Sequence, residues 1–224
     1  MRYIRKGESP ESLLRYAKNK DAYYDGYQEK DDVREQLLKE QGYLCGYCMR
    51  RIGSEKETKI EHMVTQSSLK ENPRAALDYK IMLGVCYGNE SSDKEKKRSY
   101  HQLTCDAHRG NLDLKVANPF DETCISKIRY ESDGTITSKD PDLEKDLNVI
   151  LNLNYDGDSV YLKQNRKAVL DACKEKLRRM KVKGQWNKTL LKKVLKEYEE
   201  PDEQGRLREY SGIAIWYLKK RIGD

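Results

Sequence analysis

Tyr43-Leu44-Cys45-Gly46-Tyr47-Cys48-Met49-Arg50-Arg51-Ile52 sets two cysteines either side of a Gly-Tyr pair. A two-residue gap lets both thiolates reach one zinc from a tight turn, and Gly46 eases that turn. Downstream, Cys86 and Cys105 complete four candidate ligands. They are not a second close pair, but the ends of an inserted loop between them can meet at one metal. A closed four-cysteine site has no open position, so such a zinc is structural rather than catalytic. The competing reading leaves Cys86 and Cys105 as ordinary buried cysteines, with His101 as a substitute ligand. Cys124, in an expected hairpin, and Cys173, in an expected amphipathic helix, read as core residues.

Working outward, Asp31 to Gln41 reads as a helix, with Val33, Leu37 and Leu38 on one face and Gly42 as its stop. Ser9-Pro10-Glu11 reads as an earlier helix start, with Ser9 as cap and the helix running to about Asn19. Tyr23, Tyr24 and Tyr27 surround Gly26 in an expected loop. After the knuckle, Thr58-Lys59-Ile60-Glu61-His62 is an expected strand. Gln66 to Arg74 reads as polar loop, and Ala75 to Leu83 is apolar but of undecided type. Asp93 to Arg98 is a charged run, expected as an exposed insertion between Cys86 and Leu103. Cys105 to Lys115 is expected to begin with a short helix. Ile125 to Ser138 reads as a hairpin turning at Asp133-Gly134. Helices are expected over about 142–152, 163–182, 187–199 and 208–222.

The chain has 224 residues, 37% hydrophobic and 37% charged, which supports a thin core. A small domain with helical attachments is therefore the expected form, divided as residues 1–30, 31–120 and 121–224. Tyr outnumbers Phe sixteen to one, which suits small cores and wet edges. The net charge is +6, yet the stretch from Lys163 to Glu197 alone holds thirteen Lys or Arg against three acids, a net +10. A basic C-terminal region suggests a polyanionic partner; the bland alternative is a solvated helix face. No run of 18 apolar residues occurs, and Met1 to Lys6 lacks the apolar centre of a signal peptide. A cytoplasmic setting is expected, where six cysteines point to metal before disulfides.

The histidines number three. Glu61-His62 ends the expected strand ten residues past the knuckle, and Cys105-Asp106-Ala107-His108-Arg109-Gly110-Asn111 lies beyond. A carboxylate beside an imidazole suits metal-assisted hydrolysis, one group holding a cation and the other taking a proton from water. A metal clamping both segments would bring His62 and His108 together.

This series resembles the HNH, or ββα-metal, nuclease superfamily: Cys45-x-x-Cys48, then Glu61-His62, then Leu77 to Cys86, then Cys105 to Asn111. The match covers roughly residues 31–115. With the leading helix and the long C-terminal extension, the chain resembles the PtuB-type nucleases of Septu anti-phage defence and related retron systems. The resemblance implies an α+β fold: a zinc-stapled ββα-metal core with a helical N-terminal segment and a mainly helical C-terminal extension. It implies His62 as general base, and Glu61 and His108 as ligands of a catalytic Mg²⁺ or Mn²⁺. The middle Asn of the family pattern would fall near Tyr79 to Ile81, where none occurs; Asn72, Asn111 and Asp106 are the candidate substitutes. Arg50, Arg51, Arg109 and Lys115 are the expected nucleic-acid contacts, their alternative being solvated cations. Implied partners are DNA or RNA, the ABC-type ATPase PtuA, and a retron reverse transcriptase with its RNA/DNA product. Two other functions fit the same residues: a catalytically impaired zinc-stapled adaptor, and a nuclease acting on RNA such as tRNA.

Overall fold

A computed structural model of the chain describes residues 1–65, 69, 72–91, 97–157, 160–180 and 187–223. It is an α+β protein whose described strands form two-stranded antiparallel pairs. Helix α1 (Glu11–Tyr16) begins after Pro10, which has an extended ψ of 141° and itself occupies the capping position. The sequence placed Ser9 there; Pro10 takes over because its fixed φ already directs the chain into the first turn. Helix α2 (Lys30–Glu40) carries Asp31 and Asp32 in its first turn and Lys39 in its last, matching the helix dipole. Its buried face is Val33, Leu37 and Leu38, as the periodicity requires. It stops at Gly42, whose φ of +58° favours glycine and whose added Cβ would lie 2.3 Å from Leu207.

The cysteine knuckle follows, closed by Cys45 N–H to Arg50 O at 2.8 Å and Ile52 N–H to Tyr43 O at 2.9 Å. Strand β1 (Lys59–His62) pairs antiparallel with β2 (Met82–Val85), placing Glu61 opposite Leu83 and His62 opposite Met82. The undecided stretch before β2 resolves into tight turns at Pro73–Leu77 and Tyr79–Ile81 and then the strand itself. Gln41 binds both polar groups of Gly84, accepting from N–H and donating to C=O at 2.7 Å each. That locks α2 to the middle of β2. Gly46 lies so close to the same strand that a Cβ there would meet Leu83 at 2.4 Å. Helix α3 (Cys105–Arg109) then packs beside the hairpin. The run Asp93 to Arg98 lies outside the described residues except Lys97 and Arg98, which are exposed. Most of Gln66 to Arg74 also lies outside them.

The C-terminal half begins with α4 (Glu122–Ser126), capped by Asp121. Cys124 sits on this helix rather than in the hairpin, which starts only at β3 (Ile128–Tyr130) and returns through β4 (Ile136–Ser138). The expected helix over 142–152 is α5 (Pro141–Lys145) followed by one wider π turn, Asp146–Ile150. Buried Asp146 accepts the backbone N–H groups of Val116 and Ala117 at 2.7 and 2.8 Å, fastening this turn to the segment after α3. A two-residue ladder of β5 (Asp156–Gly157) and β6 (Val160–Tyr161) precedes α6 (Leu162–Arg179). Helices α7 (Lys188–Glu199) and α8 (Gly212–Ile222) complete the chain. The expected helix over 163–182 is thus α6, and residues 181 and 182 lie outside the described residues.

One apolar cluster takes residues from all three sequence segments: Ile4, then Leu38, Tyr47 and Leu83, then Leu147, Leu162 and Ile213. A second joins α6, α7 and α8 through Cys173, Leu177, Val194 and Leu218, and a third joins α1 and α2 to β2 through Leu13, Leu37 and Met82. The thin core is thus distributed over three clusters. Among the described residues no helix is long and apolar enough to cross a membrane.

Candidate metal centre and adjoining cavity

The four cysteines come from three places: the knuckle gives Cys45 and Cys48, the chain leaving β2 gives Cys86, and the first residue of α3 gives Cys105. All are buried, and all six cysteines of the chain are free of disulfides. The sulfurs lie within 4.8 Å of one another. The separations are 3.9 Å for Cys45–Cys105, 3.8 Å for Cys48–Cys86 and 3.9 Å for Cys86–Cys105. A tetrahedral ion with metal–sulfur bonds of about 2.3 Å sets its sulfurs about 3.8 Å apart, so this donor set fits a structural metal such as zinc. Burial opposes ionisation of Cys45, but the neighbouring thiols of Cys105, Cys48 and Cys86 outweigh it and lower its pKa. A thiolate held among thiols is chemistry suited to a cation. His101 is exposed and not part of this set. Cys124 and Cys173 are buried elsewhere.

Beside this cluster, β1 and α3 form one side of a cavity of about 640 Å³, lined among others by Lys59, Glu61, His62, Asp106 and Asn111. His62 Nε2 lies 2.9 Å from the carbonyl oxygen of Ala76. A carbonyl only accepts, so Nε2 carries the proton and Nδ1 keeps its lone pair. The ring of Tyr24 meets the imidazole edge-on, with centroids 4.6 Å apart. Burial lowers the His62 pKa, with the Ala76 bond opposing, so the ring is neutral at neutral pH. Ala76 thus does the orienting that the sequence sought in Asn72, Asn111 or Asp106. Asn72 instead caps the Pro73–Leu77 turn, accepting from Ala75 N–H at 3.3 Å. Asn111 is exposed on the cavity wall.

Glu61 is paired with Arg109 and accepts from the Tyr47 hydroxyl at 3.2 Å. Asp106 lies within hydrogen-bonding reach of it. Burial first, then the Asp106 carboxylate, push the Glu61 pKa up to about 8, with Arg109 opposing. Two carboxylates this close favour a shared proton or a shared cation. Lys59 reaches Asp106 at 3.5 Å and also pairs with Glu90. The cavity therefore brings together a neutral imidazole, two carboxylates and flanking cations; among the described residues, the four cysteines alone form a group of three or more ligands gathered closely enough to hold a metal ion.

His108 is not brought there. Its Nδ1 meets the Ile150 carbonyl at 2.9 Å, and its ring stacks on Tyr100 with centroids 4.0 Å apart. Helical phase explains this. Asp106 and Arg109, three apart on α3, share the face toward β1, while His108 falls toward the Asp146–Ile150 turn. Asp106, and not His108, lines the cavity with Glu61 and His62.

Of the four expected nucleic-acid contacts, Arg109 is 2% exposed, though it lines the cavity, and its guanidinium is taken up by protein acceptors. Its guanidinium instead donates to Leu112 O at 2.9 Å, His62 O at 2.9 Å and Met63 O at 3.2 Å, besides Glu61. Arg51 is likewise structural, donating to Gly42 O at 2.9 Å and Leu207 O at 2.5 Å. Arg50 is exposed beside Tyr87 and Arg98, and Lys115 is exposed but paired with Asp142 at 3.0 Å. Nothing in the sequence separated a clamp such as Arg109 from a solvated cation.

Replacing Arg109 by Ala is expected to destabilise the fold by about 3–5 kcal/mol, because it strands the Glu61 carboxylate and several carbonyls. Arg109→Lys should recover only part of this, since one ammonium cannot span those acceptors. Urea unfolding measures both; a loss below about 1 kcal/mol for Arg109→Ala, the scale of a surface pair, would refute the clamp.

No protein-family model matches this chain, and no curated protein matches it significantly.

Proposed function

We propose that this chain is a divalent-metal-dependent HNH-type endonuclease that hydrolyses phosphodiester bonds of nucleic acid, stapled by a structural zinc on Cys45, Cys48, Cys86 and Cys105. The observation that carries this reading is His62, fixed through Nε2 on a backbone carbonyl and opening its cavity beside the Glu61–Asp106 pair. The chain order, strand β1, strand β2, then α3 around a cysteine cluster, supports the resemblance to the ββα-metal nucleases. Glu61 and Asp106 would hold the catalytic ion. A Mg²⁺ or Mn²⁺ ion held there would supply neutralisation of the charge that develops as the phosphodiester is hydrolysed. His62 Nδ1 accepts the proton of the attacking water, and the products carry a 5′ phosphate and a 3′ hydroxyl.

Nicking of supercoiled plasmid and of a structured RNA, with and without added Mg²⁺, tests the reading. Cleavage is expected only with the ion. Asp106→Asn should raise the Mg²⁺ concentration needed for half-maximal rate at least about tenfold, the scale of a lost ligand contact. His108→Ala should not shift it. A shift with His108→Ala alone would return the ligand role to that residue.

The pairing of Arg109 with Glu61 favours a second reading, a zinc-stapled nucleic-acid-binding adaptor whose carboxylate is occupied by a guanidinium. Metal-dependent nicking excludes it. The same resemblance suggests the ABC-type ATPase as partner. A concavity of about 410 Å³ on α8, where Trp216 and Tyr217 lie among Lys174, Lys220 and Arg221, suits such a contact.

A further inference from the structure

We infer that the cavity takes unpaired nucleic acid rather than intact duplex, with Tyr23 as the platform for a nucleobase next to the scissile phosphate; this rests on the nuclease reading of the same cavity. The tight turn Tyr24–Gly26 projects from the N-terminal segment over His62, so Tyr23 and Tyr24 line the cavity that holds Glu61 and His62. The two tyrosines are not equivalent. Tyr24 is committed: its ring meets the His62 imidazole, and Lys30 Nζ lies 4.7 Å from its centroid. Tyr23 is 52% exposed, the larger part of its surface facing water.

Its position is nevertheless fixed. The Tyr23 carbonyl accepts from Gly26 N–H at 3.2 Å and from the Tyr16 hydroxyl at 3.2 Å. Its ring lies against Gly26 closely enough that a Cβ there would stand 3.0 Å from ring carbons. The ring thus rests on its own turn while the residue lines the cavity.

Stacking needs an open base face. In a duplex both faces of each base are covered by its neighbours, and only a single strand or an extruded nucleotide offers one. The cavity volume of about 640 Å³ is of the class that encloses a drug-sized ligand, the size of one or two nucleotides and far less than a helical turn of duplex. A strand that lays one base on Tyr23 brings its neighbouring phosphate toward His62 and the carboxylate pair. Stacking is indifferent to base identity, so little sequence preference is expected at this position.

Binding and cleavage are measured separately. Full-length protein carrying His62→Ala, which binds without cutting, is titrated against a fluorescent thymidine dodecamer and against a blunt-ended duplex of twelve base pairs, by anisotropy. The single strand is expected to bind at least about tenfold more tightly. Adding Tyr23→Ala should weaken single-strand binding about tenfold, and Tyr23→Trp should strengthen it. Equal affinity for strand and duplex, no binding to either, or indifference to Tyr23→Ala in a variant that melts like its parent would overturn the inference. Wild-type protein is then tested for cutting of the same oligonucleotides. Tyr23-dependent binding without cutting would sink the nuclease reading and leave the site standing. Equal cutting of both forms, indifferent to Tyr23, would sink this inference and leave the nuclease.

Discussion

Cys45→Ser is expected to abolish the folded state of the hairpin and α3, together with the binding of about one zinc per chain. The four cysteines join three separate stretches of sequence, and around them the secondary structure is slight: two four-residue strands and a five-residue helix. Elements this short do not hold together on propensity. Closed zinc sites supply about 10–16 kcal/mol of binding free energy that is also folding free energy, as large as the whole stability of an ordinary domain. Loss of one thiolate also leaves three thiols buried around a hydroxyl with no cation. Because Cys45, Cys48 and Cys105 share the main apolar cluster with Leu162 and Ile213, the loss should spread into the C-terminal helices. Metal analysis and circular dichroism read the two effects together. Cys124→Ser and Cys173→Ser serve as controls, and both should keep the full zinc content. A Cys45→Ser protein that folds normally without zinc would eliminate the structural-metal assignment.

The metal cluster was legible because its signal is covalent spacing: Cys45-x-x-Cys48 announces a turn whatever surrounds it. The 18 residues between Cys86 and Cys105 hide the other pair in sequence, and only folding brings those sulfurs to 3.9 Å. Helix α2 was legible from its apolar face and its glycine stop, since both are local. Strand β2 was not, because two tight turns run directly into it and blur the period of its four residues. The ladder of β5 and β6 is too short to carry any period at all. In the cavity, Glu61 and His62 stood out as a carboxylate beside an imidazole. Which of Asp106 and His108 lines the cavity is a matter of helical phase against partners from distant sequence, which residue type does not mark. Arg109 reads as a surface cation because charge is normally solvated; its burial follows from acceptors gathered from β1 and the chain after α3. The group that orients His62 is a backbone carbonyl, which every residue possesses and no sequence pattern marks.

His62→Ala should lower the rate of metal-dependent cleavage by at least about two orders of magnitude, the usual scale for a lost general base. The folded state should survive it. His62 sits at the end of β1, only half-buried, and its ring bond to Ala76 O is worth about 1 kcal/mol net. The cysteine cluster lies on other residues, so metal content should stay at the wild-type value. The defect should appear in kcat with little change in KM, because the imidazole acts on water and not on the strand that Tyr23 would hold. Losing the ring also frees Tyr24, whose edge contact it supplied, and Tyr24→Ala, which removes that contact with His62 intact, separates the packing effect from the lost base. Cleavage by His62→Ala at the wild-type rate, in protein of normal stability and zinc content, would remove His62 from the chemistry. The Glu61–Asp106 pair would then have to activate water without it, and the proposed HNH-type reading would lose its central residue.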